Sequence, residues 1–85
     1  MQTIVREMRG IPFFLLKEYL IEMGGEEVDE NHIQGPGWRV EISKMEPFRL
    51  GSLSIGQTLL EIEIDEDKVD GFMEVFGKKT LRAGG

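Results

Sequence analysis

The side chains best suited to chemistry in this sequence are one tryptophan and two arginines, which lie in runs of alternating polar and apolar residues. Trp38 and Arg39 begin one run, and Arg49 lies in the next. If these runs are neighbouring strands, their opposite parity places Arg39 and Arg49 together on the face turned away from the core. Guanidinium groups bind carboxylates and phosphates. Trp38, Arg39 and Arg49 are therefore candidates for binding an anion or an acidic partner, although ion pairs with glutamates across the sheet are the simpler interpretation.

A metal site has weaker support in the sequence. His32 is the only histidine and there is no cysteine, so a transition metal would have to rely on carboxylate ligands. Glu61, Glu63 and Asp65 alternate along one predicted strand, where they could attract Mg²⁺ or Ca²⁺. A solvated outer face is the better explanation of these acids, and we predict neither a metal nor a cofactor.

Two short motifs fall short of known functional patterns. Residues 65–71, DEDKVDG, suggest a calcium loop, but placing Gly71 at its sixth position puts Lys68 third and Gly77 twelfth, where calcium ligands belong. Residues 51–56, GSLSIG, narrowly miss the Gly-x-Ser-x-Gly pattern of serine hydrolases. We therefore expect no catalytic residue and no enzyme activity.

Size and charge limit the possible partners. The 85 residues suffice for one domain, which we expect to span residues 1–85 with a flexible tail at 82–85. A formal net charge of −6 repels phosphate backbones, so we expect no nucleic-acid partner. Since no segment is long and apolar enough for a membrane span, no signal peptide is recognisable and cysteine is absent, we expect a cytoplasmic protein.

The periodicity of the first residues predicts a strand followed at once by a helix. Residues 2–8 alternate as a strand, and only Gly10 and Ile11 separate it from a helix over residues 12–23, which ends at Gly24. Most apolar residues of this helix fall on one arc. Phe14 and Ile21 lie on the other flank, where they are candidates for an interface in a weak homodimer or with a partner.

The middle of the sequence alternates with period two, which predicts four strands in a meander. Turn signals occur at residues 29–31, 35–37, 46–47 and 56–57. A one-residue bulge near residues 51–52 would place four apolar residues on the core face, namely Phe48, Leu50, Leu53 and Ile55. A second amphipathic helix begins after Asp65 and is expected to end near Gly77.

The predicted order is β-α-β-β-β-β-α. It indicates an α+β domain in which a curved antiparallel sheet carries two helices on one face. The side chains expected in the core are Phe13, Leu16, Leu20, Trp38, Ile62, Phe72 and Phe76.

The sequence ends in TLRAGG. Ubiquitin-like proteins and small sulfur carriers have a similar Gly-Gly tail, which a partner enzyme activates by adenylation. Their β-grasp fold begins with a β-hairpin and delivers the glycines directly from its last strand, and this sequence predicts neither feature. Gly84 and Gly85 are a candidate reactive tail, but we expect an ordinary terminus.

Several short segments of the sequence form a recognisable set, including Gly10-Ile11-Pro12, Gly37-Trp38-Arg39 and above all residues 46–56, EPFRLGSLSIG. Together they resemble the carboxyl-terminal domain of MoaD-related proteins. In that family an uncharacterised domain with a TBP-like fold follows a domain similar to the small sulfur-carrier subunit of molybdopterin synthase. The resemblance implies the same β-α-β-β-β-β-α order, and it brings no catalytic residues with it.

The resemblance implies a non-catalytic accessory binding domain associated with sulfur-carrier or molybdenum-cofactor proteins. Its expected partner is a sulfur carrier or an adenylating enzyme, and the domain itself is expected to be a monomer or a weak homodimer. Two alternatives stay open: an autonomous carrier with a reactive Gly-Gly tail, and a small-ligand-binding domain with a pocket between the long helix and the sheet.

Overall fold

Within the part of the chain described by the computed structural model, the backbone of residues 1–84 and the side chains of residues 1–81, two helices cover one face of a five-stranded antiparallel sheet. The strand order is β1-β5-β4-β3-β2. In chain order the elements are β1 (Gln2–Arg9), α1 (Phe13–Glu22), β2 (Glu26–Asp29), β3 (His32–Gly35), β4 (Trp38–Leu50), β5 (Leu53–Ile64), a 3₁₀ turn (Glu66–Lys68) and α2 (Val69–Gly84). The predicted α+β class and element order are confirmed; a likeness to TBP-like folds beyond that order stays a prediction.

The first strand leads into α1 without an intervening strand, as expected. Pro12 precedes the helix in an extended conformation, and the chain leaves α1 through two glycines. The N–H of Gly24 donates to the carbonyl of Ile21, and the N–H of Gly25 donates to that of Leu20, both at 3.0 Å. This is a Schellman motif, and it requires a left-handed residue, which Gly24 supplies with φ of 97°.

The core lies between the helices and one face of the sheet. Apolar residues of α1 and α2 meet those of β3, β4 and β5 in one cluster. Six of the seven side chains expected in the core are buried. Phe13 is only half-buried, because its ring lies at the start of α1, with the ammonium groups of Lys17 and Lys44 5.2 and 5.5 Å from the ring centre.

Two expectations about the meander are wrong. Residues 46–47 and 56–57 do not turn: β4 continues through the first pair and β5 through the second. The chain turns instead at Gly51, whose φ of 61° suits a tight connection between strands. The irregularity in pairing lies between Met45 and Phe48. Pro47 has no pairing partner there, and a bulge is a position where a strand tolerates the missing N–H of proline.

The second helix also differs from its prediction. Helix α2 does not end near Gly77 but continues through Gly84. The flexible tail expected at 82–85 stays a prediction, and Gly85 lies outside the described residues. None of the helices within residues 1–84 is long and apolar enough to cross a membrane.

Candidate functional site

The tryptophan and the two arginines singled out from the sequence do not form one site. Trp38 faces the core, where its ring meets that of Phe72 edge to face with centroids 5.1 Å apart. Arg39 and Arg49 lie ten positions apart on the same strand, β4, opposite Glu63 and Ser54 respectively. That spacing corresponds to roughly 30 Å. The expectation that the arginines lie together is wrong because β4 does not turn at residues 46–47.

The face of the sheet turned away from the helices, called the outer face below, is acidic at one end. Glu41 and Glu61 lie directly opposite each other on β4 and β5, and Glu63 lies opposite Arg39. These residues and His32 line a shallow depression of about 240 Å³. Among the described side chains, no group of three or more His, Cys, Asp or Glu residues could hold a metal ion.

His32 lies at the edge of this acidic region and contacts two carboxylates. Its Nδ1 lies 2.8 Å from an oxygen of Asp29, and its Nε2 lies 2.9 Å from an oxygen of Glu41. The hydrogen bond to Asp29 raises the pKa of His32 above its ordinary value; the charge of Asp29 and the contact with Glu41 add to the rise, and partial burial opposes it. The same hydrogen bond lowers the pKa of Asp29. Protonated His32 therefore ties the β2–β3 turn to β4.

The other end of the outer face is apolar. Phe48 pairs with Ile55, and Leu50 pairs with Leu53. We call these four residues the hairpin patch. The two members on β5, Leu53 and Ile55, alternate in step with Glu61, so the patch lies on the outer face. The expectation that these four residues face the core is wrong. Leu50 and Leu53 are 63% and 62% exposed.

Arg9 packs against one side of the hairpin patch. The guanidinium of Arg9 on β1 lies 4.1 Å from the centre of the Phe48 ring, and its Nε donates to Gln57 Oε1 at 2.8 Å. Gln57 in turn donates to the carbonyl of Glu46 at 2.9 Å. The sequence signal for this patch was the apolar alternation in residues 48–55; its face depended on where the bulge falls.

A cavity of about 460 Å³ opens between the end of α1, the β3–β4 turn and the start of α2. We call it the interhelical cavity. Its apolar wall consists of Met23, Pro36, Trp38, Phe72 and Val75. Lys68, Asp67 and Glu22 line it as well. Sequence reasoning singled out Trp38 but missed Lys68 and Gly71, because their meeting depends on how α2 lies against the β3–β4 turn.

The remaining candidates lie elsewhere on the surface. Phe14 and Ile21 are 68% and 47% exposed on α1, which is the geometry that an interface on this flank requires. Whether they mediate association stays a prediction. Of the candidate tail, Gly84 is the last residue of α2 and Gly85 is outside the described residues.

The fold and these surfaces define a small α+β domain with an open sheet face and a cavity between its helices. The sequence model of the family described as archaeal MoaD-like protein matches residues 4–85 of the chain. The chain therefore belongs to the archaeal MoaD-like family, and the resemblance to MoaD-related proteins is confirmed. The comparison with curated proteins gives no match.

Proposed function

We propose that this domain is a non-catalytic accessory domain that binds a protein of the sulfur-carrier machinery, the carrier or its adenylating enzyme, through the outer face of its sheet. The hairpin patch is the observation that carries the proposal. Membership of the archaeal MoaD-like family supports the choice of partner.

The hairpin patch is suited to docking because two of its four side chains, Leu50 and Leu53, are exposed and all four lie on paired strands. Strand β3 pairs with β4 only from Trp38 to Glu41, and β1 pairs with β5 only from Gln57 onward. The end of the β4–β5 hairpin is therefore a two-stranded arm that a partner can approach from its outer face or from either edge. Contiguous exposed apolar side chains with a polar rim are typical of protein-binding sites.

The negative charge of the outer face limits further which partners can bind there. The acidic depression, lined by Glu41, Glu61 and Glu63, lies on the same face as the hairpin patch, and the chain carries a net charge of −6. A partner with an apolar patch beside a basic one would complement this face. Such a complex should associate more slowly, and bind more weakly, as salt increases.

The test compares two exposed apolar residues of similar exposure on different strands. Leu53 lies in the hairpin patch, whereas Val28 on β2, 56% exposed, lies away from it. With the purified carrier and adenylating enzyme of the same organism, Leu53→Asp should weaken binding at least tenfold, about 1.4 kcal/mol, and Val28→Asp should leave it unchanged. Calorimetric titration measures both, and circular dichroism checks that each variant is folded. Binding to neither protein, or equal effects of the two variants, would overturn the proposal.

Self-association through α1 is a separate proposal, supported by the exposure of Phe14 and Ile21 on one flank. If this flank forms a weak homodimer, Phe14→Glu combined with Ile21→Lys should abolish the dimer and preserve the helical signal. Sedimentation velocity at several concentrations measures the equilibrium. An unmodified protein that stays monomeric at the highest concentration rules the dimer out.

A carrier role is a second candidate function, favoured by membership of the archaeal MoaD-like family together with the Gly84-Gly85 pair in the sequence. Adenylation would require Gly85 to be a free carboxyl terminus. No second strand lies between β1 and α1, and Gly84 is the last residue of α2. Both features argue against recognition by an enzyme that reads a β-grasp surface. Intact-mass measurement after incubation with ATP, Mg²⁺ and the adenylating enzyme decides it; we expect no AMP or sulfur adduct while a genuine carrier is modified.

A further inference from the structure

The interhelical cavity has the size and the walls of a small-molecule site. Its volume of about 460 Å³ falls within the range usual for ligand pockets. Trp38 and Phe72 form part of its wall and are themselves 5% and 6% exposed. The Phe72 ring stacks in turn on that of Phe76, with centroids 5.8 Å apart. Because these rings are fixed by the core, the apolar wall exists before any ligand arrives.

Two residues that line this cavity carry hydrogen-bond donors, Trp38 and Lys68. The Nε1–H of Trp38 makes no hydrogen bond to a described residue, yet it is not among the buried polar atoms left without a partner, so it is not fully buried. Lys68 forms no ion pair within the described residues. Its stem lies over Gly37 beside the carboxylate of Asp65: a Cβ added to Gly37 would come within 2.5 Å of the lysine Cδ and 2.9 Å of Asp65 Oδ2. This contact holds the stem of Lys68 against the β3–β4 turn.

The acids at the cavity limit the charge that it accepts. Glu22 is paired with Lys79, whose Nζ lies 2.6 Å from a Glu22 oxygen, so its charge is largely balanced. Asp67 has no cation within salt-bridge distance among the described residues, and the carboxylate of Asp65 lies beside the stem of Lys68. These acids would repel a polyanion, so a ligand that binds through Lys68 carries at most one carboxylate.

Gly71 keeps the cavity open. It lies in the first turn of α2, its φ is not in the left-handed region, and a Cβ added there would meet nothing within 4 Å. Neither backbone geometry nor close packing therefore requires glycine, which costs helix stability relative to alanine. Because Gly71 lines the cavity, we expect a larger side chain at this position to occupy part of it.

We propose that the interhelical cavity binds a small apolar carboxylate. Its ring or branched chain contacts Trp38 and Phe72, and its carboxylate accepts hydrogen bonds from Lys68 Nζ and Trp38 Nε1–H. This site is separate from the hairpin patch, so its ligand and the protein partner can bind independently.

The test uses 3-phenylpropionate and, as its uncharged match, 3-phenylpropionamide. Trp38 is the only tryptophan, so its single indole N–H resonance reports directly on the cavity. The carboxylate should shift this resonance saturably, with a dissociation constant on the order of 1 mM, as expected for a ligand of this size. The amide should bind at least several-fold more weakly.

Three variants separate the cavity from the rest of the helix. Gly71→Leu should fill the cavity and abolish the shift, whereas Gly77→Leu, on the same helix and equally open around its Cβ, should retain it. Lys68→Gln should reduce affinity for the carboxylate about tenfold and leave that for the amide unchanged. The absence of a saturable shift up to roughly 10 mM, equal binding of acid and amide, or full binding by Gly71→Leu would each overturn the proposal.

Discussion

Apolar residues alternate in a similar way in the two halves of the β4–β5 hairpin, but they are buried in one half and largely exposed in the other. Near the helices, the apolar side chains of Trp38, Val40 and Ile42 and of their β5 partners are buried. At the far end, Leu50 and Leu53 are mostly exposed. The helices cover only the near half, and the irregularity between Met45 and Phe48 sets the far apolar pairs on the outer face. Alternation thus predicts which side chains share a face, but not whether anything covers that face.

The largest loss of stability should come from a substitution that removes the contact between α2 and the near half of the hairpin. Phe72 contacts Trp38 edge to face and is buried, so Phe72→Ala should lower the free energy of unfolding by about 3–5 kcal/mol. Leu50→Ala, at the far end, should change it by less than about 0.5 kcal/mol. Urea denaturation followed by tryptophan fluorescence measures both. A loss below about 1 kcal/mol for Phe72→Ala would mean that α2 is not docked on the sheet.

A smaller loss of stability should follow from overpacking the core in the same half of the hairpin. Gly35 pairs with Trp38 across β3 and β4, and a Cβ built on it overlaps the indole ring. Gly35→Ala should therefore cost about 1–3 kcal/mol, as overpacked cores do. Gly77→Ala, where the space is open, should stabilise α2 by up to about 1 kcal/mol. Thermal unfolding of the two variants under one condition compares them; equal shifts would mean that Trp38 can move aside.

The parts of the fold that could be predicted from the sequence rest on local signals. Pro12 and Gly24 bound α1 through their own backbone preferences, and the period of two around Trp38 and Ile62 identified two core strands. The end of α2 could not be predicted, because Gly77 looks like a stop but needs no left-handed backbone. The turn at Gly51 was missed, because a bulge was predicted near residues 51–52 and turns at residues 46–47 and 56–57. Only the pairing along both strands shows which of these positions turns.

The candidate sites were predicted less well than the fold, for a related reason. Arg39 and Arg49 were expected to lie together because a turn was predicted between them. Since β4 continues through that position, the two arginines lie far apart on one strand. Trp38 was noticed, but its cavity depends on Lys68 and Gly71, which reach it only through the docking of α2. Sites that join distant elements follow from tertiary packing, which a single sequence does not specify residue by residue.

The smallest effect should appear on the uncovered outer face of the near half, where His32 contacts Asp29 and Glu41. Because the pKa of His32 is raised in the folded state, its stabilising contribution is complete below its ordinary pKa of about 6.5 and is lost as pH rises through the raised value. The lowered pKa of Asp29 acts in the other direction, since its contribution is present above about pH 4 and is lost as pH falls through the lowered value.

Stability should therefore decline as pH rises from about 6.5 through the raised pKa of His32, and His32→Gln should remove most of that decline. His32 is the only histidine, so no other imidazole contributes to the slope. Glu41→Gln, which keeps the stronger contact with Asp29, should reduce the decline without abolishing it. Urea midpoints measured at several pH values give the slope for each protein. An unmodified protein whose midpoint does not change across this range would show that the contacts of His32 contribute nothing to holding the β2–β3 turn against β4.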